Sequence, residues 1–156
     1  MSKKIAQLLD EQCVLLNCEA IDAAEVIRAI GEKLLNQGYV KDTFIKAAID
    51  REKELPTGLP LAGGINAAIP HTDIDHVIHP ALGMATLKQE VPFQNMANPQ
   101  ETVPVRLVFL LALEQPKAQI EILQEVAKIL QNPSLVDDLL RQDTFAGVTK
   151  KLNQKG

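Results

Sequence analysis

Residues 63–79 read GGINAAIPHTDIDHVIH and hold all three histidines of the chain. Gly63 and Gly64 read as a turn. Ile65, Ala67 and Ile69 then alternate with Asn66 and Ala68, the period of a strand with one face in a core. Pro70 has no N–H to give to a ladder, so the strand should stop there. His71 is therefore expected where the backbone leaves a sheet, held by the strand on one side and open to water on the other. That is a suitable place for a side chain that does chemistry.

On the N-terminal side, Ile5, Leu8 and Leu9 belong to a short polar–apolar segment, and 13–16 is a candidate strand. Asp22 followed by Glu25 resembles a capping box, with Asp in place of Ser or Thr. Val26, Ile27, Ile30, Leu34 and Leu35 follow at helical spacing, and Gly38 is the expected stop. A second helix should start near Asp42 or Thr43, turn Phe44, Ile45, Ala48 and Ile49 inward, and expose 50–54 before Pro56. On the C-terminal side, 81–87 alternates like a strand, 91–93 is a short extended piece and 95–102 a polar loop. Residues 103–113 form the most apolar run and the best candidate for a central strand. Pro116 should open a helix with Ile120, Leu123, Val126, Ala127 and Leu130 on one face. Pro133 and Asp143 should start two more. The expectation is α/β: one layered domain over 1–156, a mixed, mostly central β-sheet flanked by helices.

Composition narrows the function classes. With 46% apolar and only 3% aromatic residues, the core must be built from Leu, Ile, Val and Ala. A net charge of −4 and the lack of a Lys/Arg cluster argue against nucleic-acid binding. Cys13 and Cys18 fit neither a CxxC pair nor a disulfide framework. No segment has the apolar core of a signal peptide or reaches spanning length, so a soluble cytoplasmic protein without direct membrane insertion is expected.

Three chemistries compete for the histidine stretch. HTDIDH resembles the HxHxDH motif of metallo-β-lactamase-fold hydrolases, with Asp73 where the second His should be. Such enzymes need further distant histidines, and none follows His79, so a metal-dependent hydrolase is the remote alternative. A Ser or Cys nucleophile served by His is weaker still: only Ser2 and Ser134 are present, neither in a nucleophile-elbow context, and the cysteines sit in an apolar run. Thirdly, a histidine can itself carry a phosphoryl group. Its imidazole is largely neutral and nucleophilic near pH 7. Protonation of the other nitrogen then makes the ring a good leaving group. Such a site needs cationic or N–H donors for the phosphoryl oxygens, and Arg is the best planar partner.

The ordered set Arg51-Glu52 … Thr57-Gly58-Leu59 … Gly64-Ile65-Asn66-Ala67-Ala68-Ile69-Pro70-His71-Thr72 resembles the type-2 Enzyme IIA family. These are the fructose-, mannitol- and nitrogen-class IIA proteins of the bacterial phosphoenolpyruvate-dependent sugar phosphotransferase system (PTS). The likeness extends over roughly the whole chain. It implies that His71 is the phosphoacceptor through Nε2 and that Arg51 lies beside it and stabilises the phosphoryl group. Thr57 and Gly58 match the TG pair of the adjoining loop, and Thr57, Thr72 and Gln119 are candidates for the phosphoryl environment. Gln119 stands where many fructose- and nitrogen-class members have a second histidine. Gln can donate a hydrogen bond to phosphate but cannot carry charge or a proton. That replacement, with the PTG…AIPH wording, leans toward the galactitol-like branch.

The resemblance implies a cytoplasmic phosphotransferase component with a phosphohistidine intermediate and no cofactor or metal. It would accept phosphate from phospho-HPr or an equivalent donor and pass it to a cysteine of a cognate Enzyme IIB, with the membrane Enzyme IIC taking up a sugar or sugar alcohol. The alternative is a regulatory protein of the nitrogen class, which controls partners through phosphorylation of the same histidine. Asp73, Asp75, His76 and His79 read as caps or solvated loop residues, and Arg51 taken alone could be a solvated helix end. Gly63, Gly64, Ala67 and Ala68 are expected to let a partner's backbone approach closely.

Overall fold

The computed structural model describes residues 3–155. The elements in chain order are α1 (Lys3–Leu8), β1 (Leu9–Cys18), α2 (Ala23–Asn36), α3 (Phe44–Glu54), β2 (Gly58–Leu59), β3 (Asn66–Ala68), a 3₁₀ turn at Ile74–His76, β4 (Ala81–Gln94), β5 (Thr102–Ala112), α4 (Pro116–Leu130), α5 (Pro133–Leu140) and α6 (Phe145–Lys155). The strands form one sheet in the order β1-β4-β5-β3-β2. β1 is parallel to β4 and β3 is parallel to β5, while β4/β5 and β2/β3 are antiparallel. This is the mixed sheet expected, with residues 103–112 in its central strand.

Helices cover both faces, so each strand sorts its side chains by parity. Along β5, Val108, Leu110 and Ala112 join α2 and α3 in one core. Leu107, Phe109 and Leu111 join α1, α4, α5 and α6 in the other. The central stretches of β3, β4 and β5 therefore bury both faces, and two expectations change. Ala67 and Ala68 are fully buried, one in each core, and offer no surface to a partner. Ile65 and Ile69 do share the face of Ala67, as their spacing predicts. Residues 81–87 are likewise buried on both faces rather than alternating.

Residues 91–93 are not a separate piece but the end of β4, reached across a register shift between Thr86 and Val91. The carbonyls freed by this irregularity are met by Arg106, whose Nε donates to Leu87 O (3.0 Å) and Nη2 to Lys88 O (3.3 Å). The side chain that stitches the irregularity comes from the neighbouring strand.

The helix termini follow their sequence cues. Asp22 accepts from Glu25 N–H at 2.9 Å, and the Glu25 carboxylate accepts from Ile21 N–H at 2.9 Å, one residue earlier than in the usual box. Gly38, at φ +81, ends α2 in a Schellman motif: Gly38 N–H donates to Leu35 O and Tyr39 N–H to Leu34 O. Gly83 is buried where a Cβ would come within 2.3 Å of Ile30 Cγ2, so the absence of a side chain lets α2 lie close on β4. In α4 the inward face is Ile122, Val126, Ile129 and Leu130. Ala127 is exposed and Ile120 is 58% exposed, contrary to the face expected from sequence. Among the described residues no helix is long and apolar enough to cross a membrane.

Candidate functional site

Topology brings distant parts of the chain to one edge of the sheet. Since β3 and β5 are parallel, His71 leaves β3 at the same edge where β5 runs into α4. β2 is antiparallel to β3, so its start, preceded by Thr57 and the end of α3, reaches that edge too. The carboxyl ends of strands are where open α/β sheets commonly bind ligands. Pro70 O accepts from Leu111 N–H at 3.1 Å, which fixes the exit segment to the central strand.

His71 is half-buried, and its Nδ1 lies 2.9 Å from Ile69 O. A carbonyl only accepts, so Nδ1 holds the proton and the neutral ring keeps its lone pair on Nε2. Burial holds the ring below the usual histidine pKa. The Ile69 hydrogen bond raises it, the Arg51 charge lowers it and the Asp73 charge raises it, with the net shift downward. The ring is therefore neutral and nucleophilic at pH 7.

Arg51 projects from the last turn of α3, and its Nη1 is 3.5 Å from Asp73 Oδ1, two residues beyond His71. The guanidinium is thus within electrostatic reach of the ring. Thr57 is 4% exposed and its hydroxyl is fully committed. It donates to Glu52 Oε1 (2.8 Å) and accepts from Ile69 N–H (3.2 Å). Thr72 is buried beside His71 in the chain. Gln119 lies in the first turn of α4, the helix that starts just beyond the end of β5.

His76 and His79 serve another purpose. Thr43 Oγ1 is 2.8 Å from His76 Nδ1, His76 O accepts from Lys41 N–H, and His79 N–H donates to Tyr39 O. These contacts fasten the loop after His71 to the α2–α3 connection. They leave His71 as the histidine aimed at the sheet edge.

Glu52 escaped the reading of residues 50–54 as an exposed charged run: it is 7% exposed. Its Oε2 accepts Thr57 N–H at 2.8 Å as well as the hydroxyl at Oε1. Burial pushes its pKa up to about 7, opposed by these two bonds. The spacing Ile45, Ile49, Glu52 repeats at four and three residues, so helical periodicity would have placed Glu52 on the inward face.

No group of three or more His, Cys, Asp or Glu that could hold a metal ion occurs among the described residues. Cys13 is buried and its thiol is pushed up to about 11, chiefly by burial, so it is no thiolate nucleophile at neutral pH. Ser134 sits in the first turn of α5, and Ser2 lies outside the described residues.

Comparison with known proteins bears on the family and the fold. The family model described as "Phosphoenolpyruvate-dependent sugar phosphotransferase system, EIIA 2" matches residues 7–155. The galactitol-specific EIIA component of the PTS system of Escherichia coli strain K12 is 36% identical over 120 residues, covering 77% of this chain and 79% of the relative. The crystal structure of IIA mannitol from E. coli superposes with a TM-score of 0.75 at 25% identity, over 92% of this chain and 97% of that one. A complex of E. coli enzyme IIA mannitol with phosphorylated enzyme IIB mannitol shares the fold, with a TM-score of 0.74 at 23% identity over 94% of this chain and 99% of the other.

Proposed function

Because the chain belongs to the EIIA 2 family of the phosphoenolpyruvate-dependent sugar phosphotransferase system, and is thus a phosphotransferase component, we propose that His71 Nε2 is its phosphoryl carrier. The observation that carries this reading is the bond from Nδ1–H to Ile69 O, which leaves Nε2 as the unprotonated nitrogen. In the forward step the Nε2 lone pair attacks phosphorus of a phosphohistidine donor, HPr or its equivalent. The donor's N–P bond breaks and its electron pair returns to the donor ring. His71 then bears phosphorus on Nε2 and a proton on Nδ1. That proton, held by Ile69 O, keeps the ring imidazolium-like and therefore a good leaving group. A cysteine thiolate of a cognate Enzyme IIB attacks next, forming the S–P bond, and the Nε2–P electron pair returns to His71.

Arg51 acts in both steps. Its charge adds to burial in keeping the free ring unprotonated and, once phosphorus arrives, stabilises the phosphoryl oxygens. The start of α4 adds the positive end of a helix dipole at the same sheet edge, with Gln119 as a neutral donor. Exposed Leu55, just past the end of α3, and Ile120 on α4 supply apolar surface near that edge, consistent with docking of protein partners. The 36% identity to a galactitol-specific component supports a sugar alcohol as the substrate class of the pathway.

The test is labelling from phosphoenolpyruvate in the presence of Enzyme I and HPr, followed by transfer to purified IIB proteins of the galactitol, mannitol and fructose classes. The label should be acid-labile, sit on His71, disappear in a folded His71→Ala variant and pass to a galactitol-class IIB. Label persisting in His71→Ala would overturn the assignment.

A further inference from the structure

We infer that Glu52 is a positioning residue for the His71 ring, acting through the Thr57 hydroxyl and the backbone of Ile69. The inference rests on the proposed role of His71 and adds a residue to that site. Four hydrogen bonds carry it in sequence. Glu52 accepts Thr57 N–H and Thr57 Oγ1–H, each at 2.8 Å. Thr57 Oγ1 accepts Ile69 N–H at 3.2 Å, and Ile69 O accepts His71 Nδ1–H at 2.9 Å.

The position of this chain in the fold gives it its effect. The β2–β3 ladder pairs Gly58 with Ala68 and Leu59 with Ala67. One step beyond, Thr57 faces Ile69, and there a side-chain hydroxyl meets the strand's N–H. Pro70 follows and has no N–H of its own. Between the end of β3 and His71, the exit segment is therefore tied at two points: Ile69 N–H to Thr57 on one side, and Pro70 O to Leu111 on the central strand. Glu52 fixes the first tie by taking both donors of Thr57, which leaves the hydroxyl lone pairs directed at Ile69. The N–H and C=O of Ile69 belong to different peptide groups, so the influence on the ring is geometric rather than electronic. It sets which way the Ile69 carbonyl points, and that carbonyl selects the ring's tautomer.

A buried carboxylate is a poor choice for stability alone. Removing its charge from water is costly, and among the described residues no cation is paired with it. What a carboxylate provides here is two acceptors and no obligatory donor, which is what Thr57 N–H and O–H require together. Glutamine offers one acceptor and an NH₂ group that faces a donor. Valine at position 57 keeps the shape of threonine and deletes the link to Ile69, whereas serine keeps the link.

The experiment uses the full chain, ¹⁵N-labelled, with long-range ¹H–¹⁵N correlation of the His71 ring and saturation kinetics of phosphoryl acceptance from phospho-HPr. At pH 8, above the Glu52 pKa of about 7, the wild-type ring should show a protonated Nδ1 and a bare Nε2. Glu52→Gln and Thr57→Val should show mixed tautomers and a kcat lower by about 10- to 100-fold, with little change in KM for the donor. Thr57→Ser should restore both readouts. A wild-type ring protonated on Nε2 overturns the inference without any variant. So does a Thr57→Val protein with the wild-type tautomer and kcat. If Glu52→Gln does not fold, the Val/Ser pair at position 57 and the wild-type spectrum still decide. Failure of the wild type to accept phosphate on His71 would instead remove the proposed function, while the tautomer readout would stand as a separate test of positioning.

Discussion

Arg51 Nη1 lies 3.5 Å from Asp73 Oδ1, so its guanidinium is held by a carboxylate two residues beyond His71. The pair is long and mostly solvent-facing on the Asp73 side, and such pairs contribute roughly 0–1 kcal/mol. In the proposed transfer an arriving phosphoryl dianion would compete with Asp73 for the same cation. Weak pairing suits that exchange: it keeps Arg51 near the site without holding it away from phosphate.

Arg51→Ala should fold, as judged by circular dichroism, and accept phosphate slowly. Losing one charged donor in a preorganised site costs about 2–4 kcal/mol of transition-state stabilisation, or roughly 30- to 1,000-fold in rate. Asp73→Asn should change the rate by about tenfold at most, in keeping with a weak exposed pair. Rapid-quench measurement of the first transfer reads both. A normal rate in Arg51→Ala would take Arg51 out of the mechanism.

The pH profile of acceptance follows from the ring itself. Burial and Arg51 lower the His71 pKa in the folded protein, so the ring stays neutral below the ordinary histidine value. Protonation of the ring should therefore cut acceptance only below about 6.5, so a decline that already begins between pH 8 and 6.5 reports Glu52, whose pKa of about 7 lies in that window. The folded-state value can be read directly from the His71 ring shifts during an NMR titration. A midpoint above 6.5 would show that the Ile69 bond and Asp73 outweigh burial and Arg51.

How much of this was legible in the sequence differs by residue. His71 was legible because Pro70 and the short alternating run fix a strand exit, and Arg51 because it stands in an ordered set with TG and IPH. Glu52 was hidden by its neighbours: Asp50, Lys53 and Glu54 are exposed, and a run of five charged residues looks uniformly solvated. The continuity of β4 was hidden for a different reason. Lys88, Gln89 and Glu90 read as a break, and the group that bridges it, Arg106, comes from another strand. The inward face of α4 offered two overlapping apolar stripes. Packing chose the one through Ile122 and Ile129, leaving Ile120 exposed. Ala67 and Ala68 could not be known to be buried on both faces until β3 was placed inside the sheet, between β5 and β2.

Glu52 should leave a mark on stability against pH. Its folded pKa of about 7 exceeds the ordinary value of 4.5, so the folded state binds the proton more tightly than the unfolded state does. Stability from this group is highest at acid pH, falls as pH rises from about 4.5 through 7, and levels off above. The full loss is on the order of 3 kcal/mol. His71 works in the opposite direction, losing stability as pH drops below 6.5, so the raw curve mixes the two. The difference between wild type and Glu52→Gln isolates the carboxyl. Urea unfolding at pH 5 and pH 8 should show wild type losing ground to the variant as pH rises, and a pH-independent difference would mean that Glu52 is ionised throughout.

Gly83→Ala tests the packing that supports the sheet rather than the site. A methyl there would meet Ile30 Cγ2 at 2.3 Å, with Leu34 Cδ1 at 3.6 Å and Cys13 O at 3.6 Å on the other sides. Ile30 is fully buried and β-branched, so it cannot swing away without disturbing α2. Overpacking of this kind typically costs about 1–3 kcal/mol. The urea midpoint should fall accordingly with the m-value unchanged. Phosphate acceptance by the folded fraction should stay near normal, because β4 and α2 contribute no group to the His71 edge. A variant as stable as wild type would mean that α2 can lift from β4 at no cost, and that the close approach at Gly83 does not hold in solution.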